Sequence, residues 1–191
     1  MKSKQSHTPG ASTFPRATGG ELGYDPQQVD ELLARARATY DRSDAVELVS
    51  AAELRSVAFT VKRKGYSARY VDSAIDRLEE VFFERERAER VQLIGEEAWW
   101  AELGVLLSEV RGRLNRDKGK RFKRRSVFAT GYRRAQVDAF LDRVSATLSG
   151  NDSIAPADVR AAVFHAQLGG YSEEQVDALL DSVVELLLAS K

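Results

Sequence analysis

With no cysteine in the chain, acid–base or metal chemistry would have to come from carboxylates and two histidines. Disulfides, thiolate metal sites and cysteine nucleophiles are excluded at once. His7 lies near the start and His165 follows Phe164; neither has a partner at metal-ligand spacing. The most regularly placed carboxylates are Asp30, Asp72, Asp138 and Asp177, each directly after a valine in a recurring motif. One per motif and on separate helices, they suit a helix–turn contact or a local salt bridge better than a catalytic pair. The glycine pairs Gly19–Gly20 and Gly169–Gly170 are too short for a phosphate loop and lack its lysine. The sequence therefore predicts a non-enzymatic protein with no cofactor and no metal.

Binding chemistry is better represented. Residues 111–125, RGRLNRDKGKRFKRR, hold nine basic residues and one acid, a formal charge of +8. The whole chain has 29 basic and 29 acidic residues, so the remainder carries −8. A segment of this kind attracts anionic lipid head groups or nucleic-acid phosphates, and otherwise serves as a solvated linker. Lys118, Lys120, Arg121, Lys123, Arg124 and Arg125 are its candidate contacts, with Phe122 and Phe128 placed to enter a membrane interface or stack on a base. Arg63, Lys64 and Leu168 are further candidates for lipid or anion contact. Trp99 and Trp100 are candidates for a partner surface, a membrane anchor or the packing of a helix pair.

The elements that must position these groups are written four times. Gly-Tyr, four variable residues and Val-Asp begin at Gly23, Gly65, Gly131 and Gly170, in GYDPQQVDELL, GYSARYVDSAI, GYRRAQVDAFL and GYSEEQVDALL. The copies alternate in type. Copies two and four share a phenylalanine six residues before the glycine, Phe59 and Phe164; copies one and three share one nine residues before, Phe14 and Phe122. A duplicated pair accounts for this alternation.

After each glycine turn, apolar residues recur at helical spacing, beginning with Val29, Val71, Val137 and Val176. Asp25 before Pro26 reads as a helix cap, and Asp25–Gln28 and Ser172–Gln175 read as capping boxes. Ser50 with Glu53, and Pro156 with Asp158, open short extra helices. The expected fold is all-α. Its modules run short helix, Gly-Tyr turn and amphipathic helix, with Gly23, Tyr24, Val29, Gly65, Tyr66, Val71, Gly131, Tyr132, Val137, Gly170, Tyr171 and Val176 making the turns and packing. Single apolar stripes require partners, so the modules pair as helical hairpins or coiled-coil-like units. Trp100, Leu103, Leu107, Val110 and Leu114 form a seam of about two heptads, while ERERAER before them suits a helix projecting into solvent. The expected segments are a disordered tail (1–22), a first repeat pair (23–95), a helical connector with a basic end (96–120) and a second repeat pair (121–191).

Ile154 to Asp181, IAPADVRAAVFHAQLGGYSEEQVDALLD, resembles the N-terminal domain of the DivIVA family of bacterial cell-division and polarity proteins. That domain reads aliphatic, Thr-Pro, an acidic residue with Ile or Val, Phe, Gly-Tyr and Val-Asp-x-x-Leu. Copy two keeps Leu54, Phe59, Gly65, Tyr66, Val71 and Asp72; copies one and three keep the Gly-Tyr to Val-Asp part. The resemblance implies a cytoplasmic, helical, non-enzymatic protein whose turns form a membrane-facing tip at septum or pole and which recruits other division or polarity proteins. The family's tip carries an aromatic and a basic residue just before Gly-Tyr; these places hold Glu21–Leu22, Arg63–Lys64, Ala129–Thr130 and Leu168–Gly169 here. The functional expectation is an adaptor or scaffold in cell division or polar growth. It lies in the cytoplasm or peripherally at the inner face of the membrane, with division or polarity proteins, its own copies and anionic lipid as partners. A nucleic-acid-binding protein using 111–125 and a purely soluble interaction module are the alternatives, nucleic acid ranking below the others as a partner.

Overall fold

The computed structural model describes residues 13–41 and 48–190. The chain divides into two compact units, one up to Arg85 and one from Glu86 onward. Among the described residues it is mostly helical, with seven helices and four strands of three residues each.

The first unit opens with β1 (Leu22–Tyr24) and α1 (Pro26–Tyr40), followed by α2 (Ala51–Ser56), β2 (Val61–Arg63) and α3 (Ala68–Ile94), whose last turns pass into the second unit. The second contains α4 (Glu96–Leu114), β3 (Thr130–Tyr132), α5 (Arg134–Leu148), α6 (Pro156–Arg160), β4 (Ala166–Leu168) and α7 (Glu173–Ala189). β1 pairs antiparallel with β2, Gly23 opposite Lys62; β3 pairs antiparallel with β4, Gly131 opposite Gln167. The two small sheets correct the all-α expectation. Three-residue strands, one of each pair containing the motif glycine itself, carry too little alternation to register as strands in a sequence.

Local chemistry explains the helix starts. The Asp25 side chain accepts the Gln27 N–H at 3.0 Å, and Pro26 supplies a first helical position that needs no donor. The Ser50 hydroxyl accepts the Glu53 N–H at 3.1 Å, and the Asp158 carboxylate accepts the Ala155 N–H at 3.0 Å. The two expected capping boxes do not form. Gln28 accepts the Thr60 N–H at 2.8 Å, and Gln175 accepts the Lys123 N–H at 3.0 Å. A glutamine side chain is long enough to bond the backbone of a neighbouring extended segment instead of its own cap, and both do so.

Val29, Val71, Val137 and Val176 are fully buried, one near the start of each helix that follows a Gly-Tyr turn. Around the first pair lie Leu32, Ala36, Leu54, Ile75 and Phe82; around the second, Leu141, Val144, Val159, Val183 and Val184. At about 25 cal/mol per Å² of apolar surface, such side chains supply the main favourable term in each unit. The segment 96–120 is more than a connector. α4 buries Trp99, Leu103, Val110 and Leu114 and packs on α7 and α5. The buried face of α4 therefore runs through Trp99, with Trp100 half exposed. The helical stretch before it is not bare either, since Arg87 lies 4.6 Å over the Trp99 ring and Arg90 pairs with Glu102.

Residues 13–22 belong to the fold, which corrects the disordered tail over that part; 1–12, including His7, lie outside the described residues. Ala17 N–H donates to Gly65 O at 2.9 Å, Ser67 N–H donates to Pro15 O at 2.9 Å, and Phe14 meets the Tyr66 ring edge-on at 5.5 Å. Polar composition hid an extended segment that satisfies backbone groups of the next copy.

The glycines explain why the motif cannot vary. A Cβ on Gly65 would lie 2.5 Å from Tyr24 O, and one on Gly170 would lie 2.5 Å from Tyr132 O. Backbone cannot yield at that distance, so Gly65→Ala or Gly170→Ala should lower unfolding free energy by at least about 2 kcal/mol. In contrast, Gly104 in α4 has nothing within 4 Å of its Cβ position. Gly104→Ala should stabilise by about 0.5–1 kcal/mol, both effects being read from urea denaturation.

Candidate interaction surface at the strand tips

Each unit is centred on two Gly-Tyr segments crossing face to face. Tyr24 N–H donates to Tyr66 O at 2.9 Å and Tyr66 N–H returns to Tyr24 O at 2.8 Å. Tyr132 and Tyr171 exchange the same two bonds at 3.0 and 2.9 Å. The side chains are exchanged as well. The Tyr66 hydroxyl donates to Asp30 at 3.1 Å, Tyr171 to Asp138 at 3.0 Å and Tyr132 to Asp177 at 3.4 Å, while Tyr24 bonds Asp72. Each motif's tyrosine thus binds the aspartate of the other motif in its unit, a relation that spacing within one copy could not reveal. The alternating phenylalanines follow the same exchange. Phe59 packs on Tyr24, Phe14 on Tyr66, Phe164 on Tyr132 and Phe122 on Tyr171, with centroids 5.2–5.5 Å apart.

These contacts hold the strands so that their outer ends project. In the first unit the tip carries Leu22 opposite Arg63, both exposed, followed by Lys64 at φ 58. Gly169 occupies the corresponding place in the second unit at φ 61. Lys64 is the one non-glycine residue with positive φ among those described, a conformation that costs about 1–2 kcal/mol. It is held by the Gly65 N–H to Lys62 O bond at 3.2 Å and by Arg16, which donates to Lys64 O at 3.0 Å.

The second tip is apolar. Leu168 lies opposite Thr130, and Gly169 N–H donates to Ala129 O at 3.0 Å, bringing the 126–129 turn alongside. Phe128 is 92% exposed, Val127 71% and Leu168 64%. Lys123, Arg124 and Arg125 are exposed in the segment leading to this turn. Arg125 N–H is anchored to Gly170 O at 2.8 Å, and Arg124 donates to Gly119 O at 3.0 Å.

The rest of the basic run is largely occupied. Arg121 is 5% exposed, donating to Asp138 O at 2.8 Å and Asp142 at 2.7 Å, so it drops out as an anion contact. Its long side chain reaches into α5 from a segment whose composition reads as solvated. Phe122 is buried against Tyr171 and cannot insert or stack. Lys118 pairs with Asp142 at 2.6 Å and Lys120 with Asp117 at 2.9 Å, both lysines remaining on the surface. Arg111 donates to Leu148 O, and Arg113 to Arg121 O, each at 3.2 Å. His165 is structural: its N–H donates to Gln136 at 2.9 Å, and its ring Nδ1 lies 2.9 Å from the Gln136 amide nitrogen. No group of three potential metal ligands occurs among the described residues, and no helix there is long and apolar enough to cross a membrane. Compared with known proteins, the chain matches no family model, no curated protein and no solved structure.

Two of the exchanged carboxylates, Asp72 and Asp177, are shifted in the opposite direction from Asp142. Burial raises Asp72 and Asp177 above their ordinary 3.8, partly opposed by the tyrosine bonds. Asp142 is lowered, first by its hydrogen bond to Lys118. A raised folded-state value gives stability that is complete below the unfolded value and lost as pH rises through the folded one. Asp142 behaves in the opposite sense, losing its contribution as pH falls through its lowered value. Unfolding titrations should therefore show a decline in stability as pH rises above 3.8, which Asp72→Asn with Asp177→Asn removes. Asp142→Asn should instead flatten the acid limb below 3.8.

Proposed function

We propose that this chain is a non-enzymatic adaptor built from DivIVA-like repeats, acting in bacterial cell division or polar growth. It binds protein partners and the anionic inner face of the cell membrane. Copies one and two, and copies three and four, are read as halves of a pairing module that meet within one chain. The reciprocal Tyr24–Tyr66 and Tyr132–Tyr171 bonds support that reading, as do the exchanged Tyr–Asp contacts.

The observation that carries the membrane part is the second tip, where Phe128, Val127 and Leu168 stand exposed near the cationic Lys123 and Arg125. Neither of those two cations makes an ion pair among the described residues. Burying the Phe128 ring in a membrane interface would contribute about 1.5–3 kcal/mol, and each cation near an anionic surface about 1 kcal/mol. Each contribution is weak alone, and together they give reversible, composition-sensitive attachment. Nucleic-acid binding fits less well, because Phe122 and Arg121 are both used inside the fold.

Co-sedimentation with vesicles tests the proposal. The chain should pellet with phosphatidylglycerol-containing vesicles at low salt and be released at high salt, while neutral vesicles bind little. Phe128→Ser should reduce the bound fraction about tenfold, and Lys123→Glu with Arg125→Glu should abolish the salt-sensitive part. Failure to pellet with either vesicle would leave a protein-only module.

A further inference from the structure

The second unit shows what covers one face of its last helix. On α7, the stripe Gln175, Leu179, Ser182 and Leu186 faces α4: the first three line a groove with Leu106, Glu109, Val110 and Arg113, and Leu186 lines one with Trp100, Leu103 and Leu107. The helices therefore run antiparallel, the C-terminal half of α4 lying on the N-terminal half of α7. Leu186 is only 8% exposed as a result.

The stripe on α3 at the same distances from its glycine, 5, 9, 12 and 16 residues on, is Tyr70, Ala74, Arg77 and Val81. Here Tyr70 is 51% exposed and Val81 45%. Tyr40, also 55% exposed, lies one turn further along, under Arg85. We propose that this stripe is the docking face for an amphipathic helix of a partner protein, antiparallel to α3 and acidic in its C-terminal half. The proposal deepens the adaptor reading, on which it rests, by naming a protein-binding surface and its ligand.

Charge identifies the occupant. Arg69 lies beside the N-terminal end of the stripe and Arg77 within it, where α7 has Glu174 and Ser182, and neither arginine makes an ion pair among the described residues. Glu84 stands at the far end. An antiparallel helix meets both ends if acids lie toward its C-terminus. The α4 helix of a second copy is wrong for this place, since it would bring Arg111 and Arg113 toward Arg69 and Arg77 and Glu96 and Glu97 toward Glu84. Two α3 stripes paired about a twofold axis would also bring both Arg77 side chains within a turn of each other. Tyrosine and arginine, the types at Tyr70 and Arg77, are enriched at binding hot spots, and helix-in-groove recognition reads anchors at this helical spacing.

The test uses the full chain and two labelled, end-capped peptides of Glu96–Leu114, one native and one with Arg111→Glu and Arg113→Glu. Fluorescence anisotropy should show the acidic peptide binding at least about tenfold more tightly than the native one. Arg77→Glu and Val81→Ser in the chain should each weaken it about tenfold, with unchanged helical circular dichroism. Equal affinity for the two peptides, no binding of the acidic one, or indifference to both substitutions would overturn the proposal. So would a concentration-dependent dimer, seen by sedimentation, that Val81→Ser abolishes, because the face would then belong to a second copy. Vesicle binding through Phe128 should be the same in Arg77→Glu, so failure of the peptide experiment is distinguishable from failure of the adaptor reading.

Discussion

Everything in each unit is arranged around the close approach of two backbones at Gly23 with Gly65, and at Gly131 with Gly170. Side chains are excluded there, so the crossing gains its stability from what radiates outward. Paired amide bonds satisfy the peptide groups, and each tyrosine runs past the crossing to an aspartate on the opposite helix. Because the aspartate follows a buried valine by one residue, the hydroxyl bond also fixes the rotation of the helix that presents the valine. The short strands, the phenylalanine lids and the direction of the tips all follow from that anchoring. Buried polar groups are costly unless satisfied, and here their satisfaction comes from the other copy.

The two units spend their remaining polarity differently. In the first, Arg55 and Glu79 pair at 2.7 Å with Glu79 only 1% exposed. Removing one partner of such a pair typically costs about 3–5 kcal/mol, because the other is left charged and dry. In the second unit the position matching Glu79 is Val184, itself buried, and the buried ion contact moves to Arg121, which reaches from the segment before β3 to Asp142 of α5. The basic run thus has two natures: its middle is structural, holding the entering segment against α5, while its exposed end lies beside an apolar turn.

Much of this organisation was legible in the sequence because it is written in periodic apolar residues. The four valine-led stripes, the Asp25–Pro26 start and the Ser50 cap are local statements, and local chemistry decides them. Tyr24 and Asp72 are 48 residues apart, and nothing in either copy alone says they touch. The alternation of Phe14 with Phe59 was a visible sign that the copies are not equivalent, yet its meaning depended on knowing that they cross. Composition misled at 13–22 and at Arg121, where polar residues pack by bonding backbone and carboxylate rather than by being apolar. The tip residues Phe128 and Val127 carry no periodic signal at all; only their exposure in the folded chain distinguishes them from core.

Four near-identical motifs in one chain raise a question of assembly. The crossing glycines are 42 and 39 residues apart within the units, whereas Gly23 and Gly131 are separated by 108. Chain entropy favours the 42-residue closure over the 108-residue one by only about 0.8 kcal/mol, too little to exclude the wrong partner at equilibrium between similar crossings. Synthesis supplies the missing discrimination. The first unit is complete at Arg85, 46 residues before Gly131 exists. At about 5–20 residues per second this is a head start of about 2–9 seconds, longer than most small domains need to fold. The order of the copies along the chain is therefore itself part of the folding information, and a circular permutation that begins between Gly23 and Gly65 would discard it.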